Sequence, residues 1–196
     1  MAVKLLIATT NPNKIREIRP LLAGVPFEIV TLADVEPIPE PDETGTTFWQ
    51  NARIKALAYS RGSGLLAVAE DSGLVIDAMD GEPGVRSARF LGPDASYPDR
   101  FAQILRRLDG RPRAARFVTA LAAARGSEIL FETETVIEGE IAPAAVGTYG
   151  FGYDPIFRYP PLNLTTAELS GDEKAAVSHR ARAFRDLRRC LLSTKK

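Results

Sequence analysis

Short apolar runs and segments with helical spacing follow one another along the first part of the chain. Apolar runs at 3–8, 27–32 and 65–69 predict buried strands. Apolar residues recurring every three or four positions predict helices over 14–22 and 47–59. The chain therefore opens as a strand, a polar loop and a helix, an arrangement that directs backbone N–H groups of the helix start into the loop.

The remaining segments predict further strands and one more amphipathic helix. The apolar run that begins at 65 is expected to stop at the polar residues 70–73, and a strand resumes at 74–78. A helix is predicted over 97–108. Two extended strands at 117–124 and 128–141 are expected to join through a short turn. We find neither repeats nor a linker, so residues 1–196 are expected to form a single domain.

Capping patterns mark where several helices begin. Thr47 and Gln50 have the spacing of a capping box, and so do Ser170 and Glu173. Ser178 is positioned to cap a last helix. The apolar stripe of that helix comprises Phe184, Leu187 and Leu191.

Composition excludes several classes of protein. The formal net charge is zero and the pI is about 6.6, whereas nucleic-acid-binding domains are usually basic. The single Cys190 excludes an internal disulfide and a cysteine-based zinc site. The first apolar run is too short for a signal-peptide core or a membrane span. We expect a cytoplasmic protein that binds neither nucleic acid nor membrane.

Lysine is rare in this chain and its placement is informative. There are 19 arginines and 6 lysines, and three lysines lie well inside the chain: Lys14, Lys55 and Lys174. An ammonium is a compact point charge that fits between phosphate oxygens, whereas a guanidinium is a planar fork. The internal lysines are therefore candidates for phosphate contacts, and chance is the alternative.

The first candidate site is the polar loop that ends at Lys14. It offers hydroxyl and amide groups, a helix N-terminus and an ammonium, which together suit a phosphate. The spacing differs from that of a P-loop, and a capped helix after a strand is the alternative. The candidate residues are Thr9, Thr10, Asn11, Pro12, Asn13 and Lys14.

Carboxylates from two separate segments form the second candidate site. Glu43 lies in a loop, and Glu70 and Asp71 lie where a strand is expected to end. Such carboxylates suit Mg²⁺ when a triphosphate supplies the other oxygens. Neighbouring strand residues point to opposite faces, so Glu70 and Asp71 are not expected to share one role. Turn formation is the alternative.

Two later segments could hold an aromatic base. Phe151, Gly152, Tyr153 and Asp154 combine aromatic faces with open backbone amides. Cations at a helix start come from Lys174 and from the Ser178–Arg180 segment. That segment also contains the only histidine, His179. Packing in a core turn is the alternative for the aromatic residues, and a structural role is the alternative for His179.

Taken together, these segments resemble the inosine triphosphate pyrophosphatase family, whose bacterial members are dITP/XTP pyrophosphatases. The matches occur in the family's order over nearly the whole chain. They are ATTNPNK (8–14), ETGTTFWQNARIKA (43–56), AEDSGL (69–74), GEPGVRSARF (81–90), GFGYDPIF (150–157) and TAELSGDEKAAVSHR (166–180). Where the family often has two aspartates before Ser-Gly, this chain has Glu70 and Asp71, which leaves a metal role for Glu70 open.

The resemblance implies an α/β fold with a long, twisted mixed sheet flanked by helices, and two lobes with a central cleft. It also implies a homodimer that cleaves ITP, dITP and XTP to the monophosphate and pyrophosphate with Mg²⁺. Glu43 and Asp71 would hold the metal, and Asp71 would activate water. Lys14 and Lys55 would bind phosphates, Ser72 would contact the nucleotide, and the base would lie against residues 151–154, Lys174, His179 and Arg180.

Two other functions stay open on the sequence alone. One is a pyrophosphatase for other modified nucleotides. The other is a nucleotide sensor without turnover, which would have no need of a water-activating acid such as Asp71.

Overall fold

The computed structural model describes residues 3–193, which form seven strands and five α-helices. The strands are β1 (Lys4–Ile7), β2 (Glu28–Thr31), β3 (Leu66–Ile76), β4 (Ala114–Arg125), β5 (Glu128–Ile141), β6 (Phe157–Tyr159) and β7 (Leu164–Thr165). The α-helices are α1 (Pro12–Leu21), α2 (Phe48–Ser63), α3 (Tyr97–Arg107), α4 (Gly171–Val177) and α5 (His179–Ser193). Short 3₁₀ helices cover Leu32–Asp34, Asp77–Met79, Gly84–Arg89 and Asp154–Ile156.

All seven strands belong to one mixed sheet, in the order β2-β1-β3-β4-β5-β6-β7. β1 runs parallel to β2 and to β3. At the other edge, β5 pairs antiparallel with β6, and β6 with β7. The mixed α/β sheet that the family resemblance implies is therefore confirmed.

The expected break in β3 is wrong. The strand runs without interruption from Leu66 to Ile76 and carries Glu70 and Asp71 in its middle. Both carboxylates are buried there because side chains of opposite charge meet them. The polar residues 70–73, which predicted a turn, are thus part of a central strand.

The predicted helix starts are largely confirmed. Reciprocal capping boxes join Thr47 to Gln50 at the start of α2 and Ser170 to Glu173 at the start of α4. α1 begins at Pro12, two residues before the predicted position, because Asn11 acts as its N-cap and proline is tolerated in the first turn.

The chain divides into two compact units. The first unit comprises the chain up to Asp71, residues 119–135 and the chain from Arg180 onward. The second unit comprises residues 72–118 and 136–179.

Each unit has its own apolar core. In the first unit, one cluster joins Leu5, Ile18 and the predicted α5 stripe, and another joins Leu6 to Ala52 and Tyr59 of α2. In the second unit, Ile104 of α3 packs with Phe117 and Phe157. Among residues 3–193, no helix is both long enough and apolar enough to cross a membrane.

Gly139 provides a test of the packing between β5 and β6. A Cβ added there would lie 2.5 Å from Cζ of Phe157 and 2.6 Å from the carbonyl oxygen of Arg158. We expect Gly139→Ala to lower the free energy of unfolding by about 1–3 kcal/mol through overpacking. Gly171→Ala is the matched control, since nothing lies within 4 Å of an added Cβ there. Urea unfolding that gave equal stabilities for the two variants would contradict this packing.

Candidate functional site

The loop before α1 is organised by its own side chains. Asn11 accepts hydrogen bonds from the backbone N–H groups of Asn13 (2.9 Å) and Lys14 (3.3 Å). Its own N–H donates to Oγ1 of Thr9 (3.2 Å). Thr10 and Pro12 are exposed. These bonds fix the first turn of α1 and place Lys14 in it.

Asp71 lies at the centre of one cluster of polar side chains. Nδ2 of Asn51 donates to its Oδ2 at 3.2 Å, and Nζ of Lys55 donates to its Oδ1 at 3.0 Å. The same ammonium donates to Oε1 of Glu43 at 2.6 Å. Asn51 and Lys55 are one turn apart on α2, so they meet Asp71 from one face of the helix. The Lys55 ammonium therefore bridges both predicted metal ligands.

The environment changes the proton affinities of this cluster. Burial raises the pKa of Asp71, although the Lys55 ammonium opposes the shift. Burial by itself would lower the pKa of Lys55, but Asp71 and Glu43 outweigh burial and raise it. A carboxylate with a raised pKa is a better proton acceptor than a free aspartate, which suits a general base.

Glu70 lies at the centre of a second cluster. Its Oε1 lies 3.0 Å from Nζ of Lys14, and Nε of Arg180 donates to its two oxygens at 2.9 and 3.0 Å. Nη1 of Arg180 donates to Glu17 at 2.7 Å. Consecutive residues of β3 thus pair with different lysines, as expected for side chains that point to opposite faces.

The charges of this second cluster are strongly coupled. Burial alone would raise the pKa of Glu70, but Arg180 and Lys14 outweigh burial and lower it to about 2. Burial lowers the pKa of Lys14, and Glu70 opposes that shift. Glu70 is therefore ionised at neutral pH and serves as the counter-ion of both cations.

In the second unit, Asp154 organises the glycine-rich segment. Its Oδ2 accepts a hydrogen bond from the N–H of Phe151 (2.7 Å) and another from Nζ of Lys174. Its Oδ1 accepts one from Oγ1 of Thr166 (2.7 Å). The Lys174 ammonium also lies 5.0 Å from the centre of the Phe151 ring. Asp154 thus orients a cation and an aromatic face together.

Gly150 is needed for this arrangement. Its φ is +72°, and a Cβ there would lie 2.1 Å from Oδ2 of Asp154. Nearby, the hydroxyl of Tyr153 donates to the carbonyl of Ser87 at 2.9 Å. The His179 ring stacks on Phe117 with centroids 4.8 Å apart.

The structure brings the predicted residues together in groups. In the first unit, Lys55, Glu43 and Asp71 form one group, and Lys14 and Arg180 meet at Glu70. In the second unit, Lys174 joins residues 151–154, and His179 packs on Phe117. Ser72 and Gly152 are half-buried. Whether any of these residues touches a nucleotide stays a prediction.

Sequence reasoning missed four residues of these clusters as functional candidates. Thr166 and Ser87 lie within matched motifs but gave no chemical signal of their own. Glu17 faces Arg180 across 163 positions of sequence, and Asn51 lies within a matched motif without a chemical signal of its own. Patterns of local spacing cannot show such long-range partners.

The carboxylates could hold Mg²⁺ only if water and phosphate oxygens supplied the remaining ligands. In the described part of the chain, histidine, cysteine and carboxylate side chains form no group of three or more that could hold a metal. Glu43 and Asp71 are two hard oxygen donors joined by one cation, Lys55. Mg²⁺ is commonly held by one or two carboxylates together with water and phosphate oxygens. The pair is compatible with that mode of binding.

Comparison with known proteins now decides the family. The model of the Ham1 family matches residues 5–190. The chain belongs to the Ham1 family. A dITP/XTP pyrophosphatase from Exiguobacterium sp. is 48% identical over 186 residues, covering 94% of this chain and 95% of the relative. A dITP/XTP pyrophosphatase from Symbiobacterium thermophilum is 49% identical, covering 96% and 93%.

Solved structures of similar proteins have the same fold. A HAM1 protein from Coxiella burnetii superposes with a TM-score of 0.91 at 35% identity, covering 98% of this chain and all of that one. A nucleoside-triphosphatase / dITP/XTP pyrophosphatase from Mycobacterium abscessus superposes with a TM-score of 0.76 at 42% identity, covering 94% and 98%. The resemblance inferred from the motifs is therefore confirmed.

Thr166 provides a test of the Asp154 cluster. Thr166→Val keeps the shape but removes the donor to a buried carboxylate oxygen. We expect the free energy of unfolding to fall by about 1–3 kcal/mol. Thr166→Ser keeps the hydroxyl and serves as the control, with a smaller expected loss. If urea unfolding showed the valine variant to be as stable as the serine variant, the hydrogen bond would contribute nothing.

Proposed function

We propose that this Ham1 protein hydrolyses deaminated purine nucleoside triphosphates to the monophosphate and pyrophosphate, and so removes them from the nucleotide pool. The substrates are ITP, dITP and XTP. The observation that carries the proposal is the cluster of Glu43, Lys55 and Asp71, which combines paired carboxylates with an ammonium. The names of the similar proteins from Exiguobacterium and Symbiobacterium support the substrate class.

The charge of the substrate explains why this cluster needs both acids and lysines. A triphosphate carries about four negative charges, and phosphoryl transfer depends mainly on positioning and charge neutralisation. Lys55 and Lys14 supply compact cations for the phosphates. The N-terminus of α1, with the 9–13 loop, supplies backbone donors.

Glu43 and Asp71 would hold Mg²⁺, which would supply Lewis-acid stabilisation of the phosphate oxygens when bound. In the structure, the Lys55 ammonium bridges these carboxylates. With a metal held by these carboxylates, the Lys55 ammonium would leave its bridging position and donate to phosphate oxygens.

Asp71 is the residue that we assign to water activation. Its raised pKa makes it a stronger base than an exposed aspartate, and Asn51 fixes one of its oxygens. A positioned general base contributes about 10²–10⁴-fold to a rate. The proton of the attacking water goes to Asp71, the new P–O bond forms at the α-phosphorus, and pyrophosphate leaves.

We assign recognition of the base to the cluster around Asp154. An ammonium can only donate hydrogen bonds, so Lys174 can bind the 6-oxygen of hypoxanthine or xanthine but not the 6-amino group of adenine. Phe151 offers a ring face, and Ser72 remains a candidate nucleotide contact. A base-reading role for His179 and Arg180 also stays a prediction, as do the homodimer and the cytoplasmic location.

The test is an assay of purified protein with Mg²⁺ and ITP, XTP, GTP or ATP, with monophosphate and pyrophosphate both measured. We expect ITP and XTP to be cleaved with kcat/KM well above that of ATP, since a site that binds a group through buried hydrogen bonds can reject its absence by about 10⁴-fold. Equal efficiencies for ITP and ATP would refute the substrate class. Binding of ITP without pyrophosphate release would indicate a sensor.

Asp71→Asn is the control for that assay, because it keeps the shape of the side chain while removing its charge. We expect turnover of ITP to fall by at least about 10²-fold with the fold intact by circular dichroism. Turnover close to that of the parent would exclude Asp71 as the base. If another modified nucleotide were cleaved better than ITP and XTP, and Asp71→Asn lowered that turnover equally, the assigned site would be correct and the proposed substrate would be wrong.

A further inference from the structure

Glu70 is a buried charge for which the proposed reaction has no use. Its side chain is only 2% exposed, yet it is in contact with two cations. Asp71, the next residue, already supplies the carboxylate that the reaction requires. An ionised group is costly to bury unless its partners compensate for lost hydration, so the contacts of Glu70 indicate what it does.

The partners of Glu70 come from two different helices. Lys14 lies in the first turn of α1, and Arg180 lies in the first turn of α5. Glu17, one turn after Lys14 on α1, holds the same guanidinium at 2.7 Å. The charges therefore form a series of ion pairs in the first unit, from Lys14 through Glu70 and Arg180 to Glu17, which we call the charge circuit. Lys14 and Glu17 belong to α1, Arg180 to α5 and Glu70 to β3.

This circuit determines where the Lys14 ammonium lies. A lysine side chain has four rotatable bonds and loses considerable entropy when it is held in one place. Glu70 provides the opposite charge that holds it, at 3.0 Å. Without that charge, Lys14 would face the guanidinium of Arg180 across the same site, and like charges would drive the ammonium away.

The same contacts argue against a metal role for Glu70. Its two oxygens both receive hydrogen bonds from Nε of Arg180, and one of them also meets Lys14. Arg180 is paired on its other side by Glu17, so the guanidinium is anchored at two points. Glu43 and Asp71, by contrast, share a single ammonium.

We propose that Glu70 is a positioning residue: it holds the ammonium of Lys14, against the anchored guanidinium of Arg180, in the place where Lys14 meets the phosphates of the substrate. The proposal rests on the proposed function, because it gives Lys14 a phosphate to meet. It accounts for the glutamate in the AEDSGL segment as a counter-ion.

A double-mutant cycle tests the proposal, with kcat and KM for ITP measured separately. Lys14→Met and Glu70→Gln should each lower kcat/KM, and Glu70→Gln should have little further effect once Lys14 is methionine. We expect the loss of kcat/KM in the double variant to be smaller, by about tenfold or more, than the product of the two single losses. A Glu70→Gln loss of the same factor in both backgrounds would overturn the proposal.

Glu17→Gln is the matched control, because it removes the other acidic partner of Arg180. Its effect on kcat/KM should be the same factor with Lys14 or with methionine at position 14. Coupling of Glu17 to Lys14 as strong as that of Glu70 would show that the whole circuit, rather than Glu70, places the ammonium, and would overturn the proposal in its stated form.

A second substitution keeps the cycle informative if Glu70→Gln does not fold, since removing one partner of a buried ion pair is strongly destabilising. Glu70→Asp keeps the charge on a shorter side chain and replaces it in the cycle. We then expect a partial loss that disappears in the Lys14→Met background. A loss that persists there would contradict the proposal.

The cycle is repeated on the Kd for α,β-imido-ITP, measured by calorimetry, so that binding is read without turnover. If the parent binds this analogue but does not cleave ITP, the proposed function fails while the cycle on Kd still tests Glu70. Additive effects on Kd, with normal cleavage by the parent, would refute the role of Glu70 and leave the proposed function standing.

Discussion

The packing of the first unit depends on two neighbouring carboxylates that are buried in one strand. Glu70 and Asp71 are 4% and 7% exposed in the middle of β3, and each is ion-paired with a lysine from a different helix. Burying a charge without a partner costs on the order of several kcal/mol, even after the surrounding protein has relaxed. α1 and α2 must therefore deliver Lys14 and Lys55 to β3 if that strand is to be continuous.

The same requirement links folding to the proposed chemistry. Ion pairs buried in this way are seldom a net gain over apolar packing. Their presence is better explained by a use for the charges, and strongly perturbed pKa values of this kind are concentrated at functional sites. The two pairs have different surroundings: Lys55 bridges two carboxylates, whereas Lys14 shares one carboxylate with Arg180. That difference is the basis for assigning metal binding to one cluster and positioning of an ammonium to the other.

The sequence was sufficient where local patterns carry the information. The spacing of Thr47 and Gln50 predicted a capping box that the structure contains, and the apolar stripe of α5 is buried as expected. Prediction from local patterns failed at β3. Residues 70–73 are of types that are common in turns, and only ion pairs with distant residues stabilise them within a strand. Thr166 and Glu17 were missed for the same reason, because a hydrogen bond or ion pair across the fold leaves no periodic trace in the chain.

Under the proposed function, Glu43 and Asp71 form a cation site that would hold a metal where the Lys55 ammonium lies in the structure. This central claim is tested most directly by thermal unfolding of Lys55→Met with and without Mg²⁺, in the absence of substrate. Without Mg²⁺ the two carboxylates lose their shared cation, so Tm should fall, and Mg²⁺ should raise the Tm of this variant more than that of the parent. Lys14→Met, whose partner is Glu70, should show no such enlarged response. A Mg²⁺ response of Lys55→Met no larger than the parent's would contradict the account.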